Sequence, residues 1–226
     1  MRIGVICDWD GVIVDSAHLH ERSWELLAAE EGLELVEGHF AKGFGMKNEI
    51  VIPNILRWTD DRERIAHLSK RKEQLYRQLL MKEELPPCDG AIEFLKLCRT
   101  LGIPCAIGSS TEWLNIEMIL ERLEIGYCFD AIVTGDDVTA SKPNPQVFLL
   151  AAEKIGCKPR DCVVFEDAPA GIAAAHNGGM KAVGVTTTHP AYALTDADIV
   201  VHSLREIGRS QIEGLFTLRA GSPVAS

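Results

Sequence analysis

Short apolar runs punctuate this chain, separated by longer stretches in which apolar residues return at helical spacing. The runs cover residues 3–7, 103–107, 131–134, 162–165, 182–185 and 199–201. They are short and rich in β-branched residues, as expected of strands buried on both faces of a parallel sheet. Between them, helices are predicted at 113–123 and 146–155. The alternation predicts an α/β fold: a Rossmann-like parallel sheet core with helices on both faces. Such sheets bind ligands beyond the carboxyl ends of their strands. Here the first run ends at Asp8, the second at Ser109, and the fourth at Glu166 and Asp167.

The pattern changes after the first strand. Residues 17–31 and 62–80 are long, charged and amphipathic, with no convincing strand between them. They predict an inserted α-helical cap over 16–83, leaving 1–15 and 84–226 as the catalytic core. Asp15 or Ser16 is placed to cap the first helix and Gly32 to end it. Pro86, Pro87 and Gly90 mark the return to the sheet. The tail at 220–226 reads as loosely ordered.

Composition narrows the class. A chain of 226 residues, 46% hydrophobic and 25% charged, is long enough for one ample core with a small attached module. Its formal charge of −10 argues against a nucleic-acid or membrane surface, since both attract clustered cations. Charged Asp8 and Asp10 come too early for a signal-peptide core or a membrane span, so a cytoplasmic location is expected. The seven cysteines are scattered without a C-x-x-C pair and read as reduced core thiols. No sequence feature calls for an obligate protein partner.

Four constellations carry candidate chemistry. In Asp8-Trp9-Asp10-Gly11-Val12, extended residues two apart project to the same side, about 6 to 7 Å from each other. Both carboxylates can then address one centre, and a carboxylate so placed can attack phosphorus. Read alone, the motif is more often a turn or a cation loop. Gly108-Ser109-Ser110-Thr111 brings hydroxyls and N–H groups to a helix start, a phosphate site or ordinary capping. In Ser141-Lys142-Pro143-Asn144-Pro145, the proline steers Lys142 away from helical geometry and aims its ammonium. Glu166-Asp167 sets two adjacent acids at a buried strand end, where they repel unless a cation joins them or they cap the helix at Pro169.

In this order, with a helical insert after the first, the four constellations resemble the haloacid dehalogenase superfamily of phosphatases and phosphomutases over roughly residues 3–185. The resemblance implies that Asp8 is the nucleophile and Asp10 the general acid and base. It implies a Mg2+ cofactor held by the Asp8 carboxylate, the Asp10 backbone carbonyl, Glu166 and Asp167. Ser109 becomes the phosphate-binding hydroxyl, Lys142 the charge-neutralising lysine, and Gly11 and Ser110 substrate-binding neighbours. An aspartate at position 10 points to phosphate esters over C–Cl or C–P cleavage, and a small phosphorylated metabolite is the expected partner.

The insert resembles the cap of β-phosphoglucomutase and its phosphatase relatives, with His20, Trp24 and Lys72 at matching places. Of these, His20 and Lys72 are candidate substrate contacts, and Trp24 reads as cap core. A mutase must hold a second phosphate, which that family does with a cap arginine after a Lys-Gly pair. Here Lys42-Gly43-Phe44-Gly45 leads to Met46 at the arginine position, with Lys47, one residue on, as the candidate substrate contact in its place. Lysine lacks the bidentate fork of arginine. A sugar-phosphate phosphatase is therefore the expected activity, with a phosphohexose mutase as the alternative and a binding protein that has lost turnover as a third reading.

Overall fold

The computed structural model describes residues 2–217; the tail at 220–226 lies outside them. Six parallel strands form one sheet: β1 (Gly4–Cys7), β2 (Cys105–Gly108), β3 (Ala131–Val133), β4 (Cys162–Glu166), β5 (Lys181–Val185) and β6 (Ile199–Val201). Their order is β3-β2-β1-β4-β5-β6. Sequence position thus runs outward in both directions from the β1–β4 junction, the switch point at which such sheets open a ligand crevice. Every predicted run becomes a strand, with boundaries moved by at most two residues. The second starts at Cys105 because Pro104 has no N–H to give to the ladder; its carbonyl still accepts from Val5.

Alternation within the strands divides the core. Val5, Cys7, Val163 and Phe165 pack on one face with α5 (Ala91–Leu101), α6 (Trp113–Leu123) and α9 (Arg209–Thr217). Ile6, Ala106 and Val164 pack on the other with α7 (Gln146–Lys154) and α8 (Pro169–Asn177). Burial on both faces explains why these strands are apolar throughout. All seven cysteines are free and buried.

Residues 17–80 form a helical layer with an apolar cluster of its own. Its helices are α1 (Ala17–Glu31), α2 (His39–Gly43), α3 (Asn48–Ile50), a π-helical turn (Val51–Leu56) and α4 (Arg62–Leu80). Trp24, Leu27, Ile52, Leu68 and Leu75 are buried together inside it. The pieces between α1 and α4 were not legible in the sequence, because each is too short to show a period. Gly32 ends α1 in a left-handed conformation (φ 64°), as its lack of a Cβ permits. Ser16 occupies the N-cap position without a capping hydrogen bond; its hydroxyl turns to Asp10 instead. The two connections to the sheet pair with each other: Cys88 N–H donates to Ile13 O, Asp15 N–H to Pro86 O, and Val14 bridges Pro87.

Candidate active site

Each strand end delivers its side chains to the crevice. β1 stops at Cys7, and the chain turns so that Asp8 and Asp10 are both almost fully buried. Gly11 makes the turn possible with φ +77°, and a Cβ there would lie 1.9 Å from Asp167 Oδ2. β4 delivers Glu166 and Asp167, both wholly buried. Carboxylate oxygens of Asp8, Glu166 and Asp167 lie within 4.8 Å of one another. Lys142 enters from the loop before α7, its ammonium 3.0 Å from Asp8 Oδ1 and 2.6 Å from Glu166 Oε1.

One lysine cannot balance three buried carboxylates. Burial raises Asp8 to about 8, Lys142 opposing while Glu166 and Asp10 add to the rise. Asp167 is pushed well above the usual carboxylate range by burial, then by Glu166 and Asp8. Burial alone would lower Lys142, but Asp8 and Glu166 outweigh it and hold the ammonium above its ordinary value. Asp167 Oδ1 is buried and has no hydrogen-bond partner. Glu166 is better satisfied, Oε1 accepting from Lys142 and Oε2 from Ala168 N–H. An orphaned carboxylate oxygen beside two further acids is the donor chemistry of a hard divalent cation, so this trio fits a metal ion, with Asp167 holding the open ligand atom.

Asp10 has the opposite environment. Its Oδ1 accepts from Ser16 Oγ at 2.5 Å and lies 3.1 Å from His20 Nε2, while Oδ2 accepts from Thr111 Oγ1 at 2.5 Å. Burial would raise this group, but His20, Ser16 and Thr111 prevail and bring it down to about 2. Two acids two residues apart are thereby held in opposite electrostatic settings, Asp8 raised by burial among other acids and Asp10 lowered by its hydrogen-bond partners.

The helical layer reaches this pair through His20. Its ring stacks on Tyr76 with centroids 4.1 Å apart, and Nδ1 lies 2.7 Å from Lys72 Nζ. Ammonium can only donate, so Nδ1 accepts and Nε2–H points at Asp10. Lys72 is also held by Glu73 Oε1 at 2.9 Å. Trp24 sits in the cap core, as expected, against Trp58. Ser109 is buried, and its hydroxyl accepts from Thr111 N–H at 3.1 Å. Ser109, Ser110, Lys47 and Met46 line one cavity of about 340 Å³ together with Asp8, Asp10, His20 and Lys72. Lys47 reaches across to the core, donating to Gly135 O and Val138 O.

Sequence reasoning missed several members of this network. By sequence Ser16 reads as a cap, and Thr111 as one of several hydroxyls at a helix start. Nothing in the sequence singles out Glu73, Asn48 or Asn115: Glu73 adjoins Lys72, but its burial rests on Asn48 and Asn115 brought in from other elements.

Gly171 provides a sensitive test of the acid pair. It stands in the first turn of α8, and a Cβ there would lie 1.8 Å from Glu166 Oε1. Alanine is the better helix former by about 1 kcal/mol. Gly171→Ala should nonetheless lower kcat/KM at least about 50-fold and reduce thermal stability, because Glu166 must leave its place on Lys142. A variant as active and as stable as wild type would overturn that reading of Glu166.

A doubly wound sheet with a buried acid at its switch point, a lysine on that acid and a helical layer over both defines a class: α/β enzymes that act on an anionic group at the strand ends. The chain belongs to the haloacid dehalogenase-like hydrolase family, whose model matches residues 4–179. It is 34% identical over 207 residues to the chloroplastic 5-amino-6-(5-phospho-D-ribitylamino)uracil phosphatase of Arabidopsis thaliana, covering 91% of this chain and 55% of that protein. The chain thus spans about half of that relative's length. It is 32% identical over 198 residues to fructose-1-phosphate phosphatase YqaB of Escherichia coli, covering 80% and 95%. Among solved structures, a β-phosphoglucomutase from Clostridium difficile superposes with a TM-score of 0.85 at 25% identity, covering 96% of this chain and 97% of that one. Among the described residues, no helix is long and apolar enough to cross a membrane.

Proposed function

We propose that this chain is a magnesium-dependent phosphatase of small phosphorylated metabolites, sugar phosphates foremost, with 16–83 as its cap. The observation that carries the reading is the opposed setting of Asp8 and Asp10 at one cavity: Asp8 faces Lys142 and the acid trio, and Asp10 sits in its own hydrogen-bonded pocket. The phosphatases among its relatives support it.

Asp8 attacks phosphorus, the ester P–O bond breaks, and the departing alcohol takes a proton from Asp10. Against burial, His20, Ser16 and Thr111 favour the ionised form of Asp10; a dianionic ester beside it raises its pKa, so that Asp10 takes up the solvent proton it then passes to the departing alcohol. In the second half, Asp10 accepts a proton from water, the water oxygen bonds to phosphorus, and the Asp8–P bond breaks to release inorganic phosphate. Lys142 holds negative charge on Asp8 and the transferring group. Ser109, Ser110 and the backbone around Gly11 cradle the phosphoryl oxygens, while His20 and Lys72 close the site from the cap. Asp8, Asp167, Glu166 and the Asp10 carbonyl would hold the magnesium, whose charge counters the phosphoryl oxygens when bound.

A phosphohexose mutase is the second reading, favoured by the likeness to the solved β-phosphoglucomutase. Against it stand Met46 and the engagement of Lys47 by core carbonyls. A cytoplasmic site of action fits the seven buried free thiols, and the net charge of −10 speaks against nucleic acid.

The test is turnover of p-nitrophenyl phosphate with magnesium, then of β-glucose 1-phosphate with catalytic 1,6-bisphosphate. Phosphatase activity requires inorganic phosphate from the first and its loss on chelation. Glucose 6-phosphate without inorganic phosphate from the second would establish the mutase. A folded protein silent in both would be the binding protein.

A further inference from the structure

The cavity is lopsided in charge. Each of the four basic side chains in its lining is already engaged by the protein. His20 bonds Asp10, and Lys72 bonds Glu73 and His20. Lys47 donates to Gly135 O at 2.6 Å and Val138 O at 2.5 Å. His39 Nδ1 donates to Val36 O at 2.9 Å, so in the neutral ring Nε2 is an acceptor. That Nε2 is buried without a partner.

The groups left facing the cavity beyond Asp8 and Asp10 are mostly acceptors. Glu49 takes one hydrogen bond from Ser69 Oγ at 3.2 Å. Glu112 takes one from Arg77 at 3.1 Å, and Asp136 one from Trp113 N–H at 2.9 Å. An ionised carboxylate has about four lone-pair sites, so each retains capacity for a ligand donor. A second phosphate or a carboxylate lodged there would meet Glu49 and Asp136, and Glu112 beside its Arg77 partner, and, among the described residues of the lining, no lysine that is not already engaged. Repulsion of that kind is an effective way to exclude a competing substrate.

Resting on the phosphatase reading above, we infer that the leaving group of the natural substrate is rich in hydrogen-bond donors and carries no second anionic group. The substrate class is the monophosphate of a polyol or an amino-polyol, and Glu49, Glu112 and Asp136 select against bisphosphates and phosphorylated acids. Lys47 positions this wall by tying the cap to the loop at 135–138 and does not grip substrate phosphate.

The experiment is competition against p-nitrophenyl phosphate hydrolysis, with magnesium, by four ligands: glucitol 6-phosphate, glucosamine 6-phosphate, 6-phosphogluconate and fructose 1,6-bisphosphate. The first two should inhibit at concentrations at least tenfold lower than the last two. Glu49→Lys and Glu112→Lys should each narrow that gap at least fivefold. Calorimetric titration of the Asp8→Asn variant with the same ligands gives the ranking without turnover. An equal or reversed ranking, or a gap unmoved by both charge reversals, overturns the inference. Failure of the wild type to hydrolyse p-nitrophenyl phosphate counts instead against the phosphatase reading, leaving the binding order to judge the charge argument by itself.

Discussion

Asp8→Asn should fold normally, form no phosphoenzyme and lose turnover by about 10⁴-fold or more, since the amide removes the attacking oxygen's charge. Mass spectrometry of acid-quenched enzyme checks the first half: phosphate adds to wild-type protein and not to the variant. Stability checks the second half. In metal-free buffer the folded state holds Asp8 near 8, against an ordinary 3.8, so folded protein keeps a proton that the unfolded chain has released across that interval. Wild-type stability therefore falls as pH rises from about 4 to 8 on account of this group. The asparagine variant lacks that loss, and at pH 8 without metal it should unfold at the higher temperature. Near-normal turnover would remove Asp8 as nucleophile. A variant less stable than wild type at pH 8 would mean that the Asp8–Lys142 pair outweighs the repulsion among the acids. Adding magnesium should stabilise wild type more than the variant, because the cation relieves the same repulsion and loses one ligand in the variant.

How far this was legible in the sequence depends on range. β1 to β6 were visible because doubly buried strands need apolar side chains at every position, and that constraint is local. The strand-end acids followed, since acids crowded at the ends of doubly buried strands repel unless a cation or a helix start takes them. What the sequence withheld is the pairing across the cavity. Ser16 resembles an N-cap and occupies the cap position, yet its hydroxyl serves Asp10; either partner satisfies a serine equally well, and only the approach of α1 to β1 decides. Lys47 and Met46 were legible as neighbours, but the carbonyls that engage Lys47 lie 88 and 91 residues away. Glu73 was invisible for a related reason. On an amphipathic helix a lone acid reads as solvated, and its burial depends on Asn48 and Asn115 arriving from elsewhere.

Glu73 is also where the cap is most sensitive to a single atom. It is buried, Oε1 accepting from Lys72 at 2.9 Å and Asn48 at 2.7 Å, and Oε2 from Asn115 at 2.5 Å. Burial would raise its pKa, but Lys72, His20 and Asn48 prevail and take it down to about 2. Glu73→Gln replaces an acceptor oxygen with a donor that faces donors, and leaves Lys72 buried without its anion. Removing one partner of such a pair costs about 3–5 kcal/mol, measurable by urea unfolding at pH 7. The wild-type advantage should be complete above the ordinary value of 4.5 and shrink as pH falls from there toward 2, because protonation then undoes what the substitution already has. A difference that stayed constant with pH would mean that the loss is one of packing and not of charge. The double variant Lys72→Met with Glu73→Leu separates stability from function. An apolar pair in that volume removes the unpaired buried charge but leaves Asn48 and Asn115 without their acceptor, so it should recover part of the lost stability, while His20, deprived of the ammonium on Nδ1, is free to turn from Asp10. Turnover should stay low in a protein more stable than Glu73→Gln, with a shifted pH–rate profile that reports Asp10.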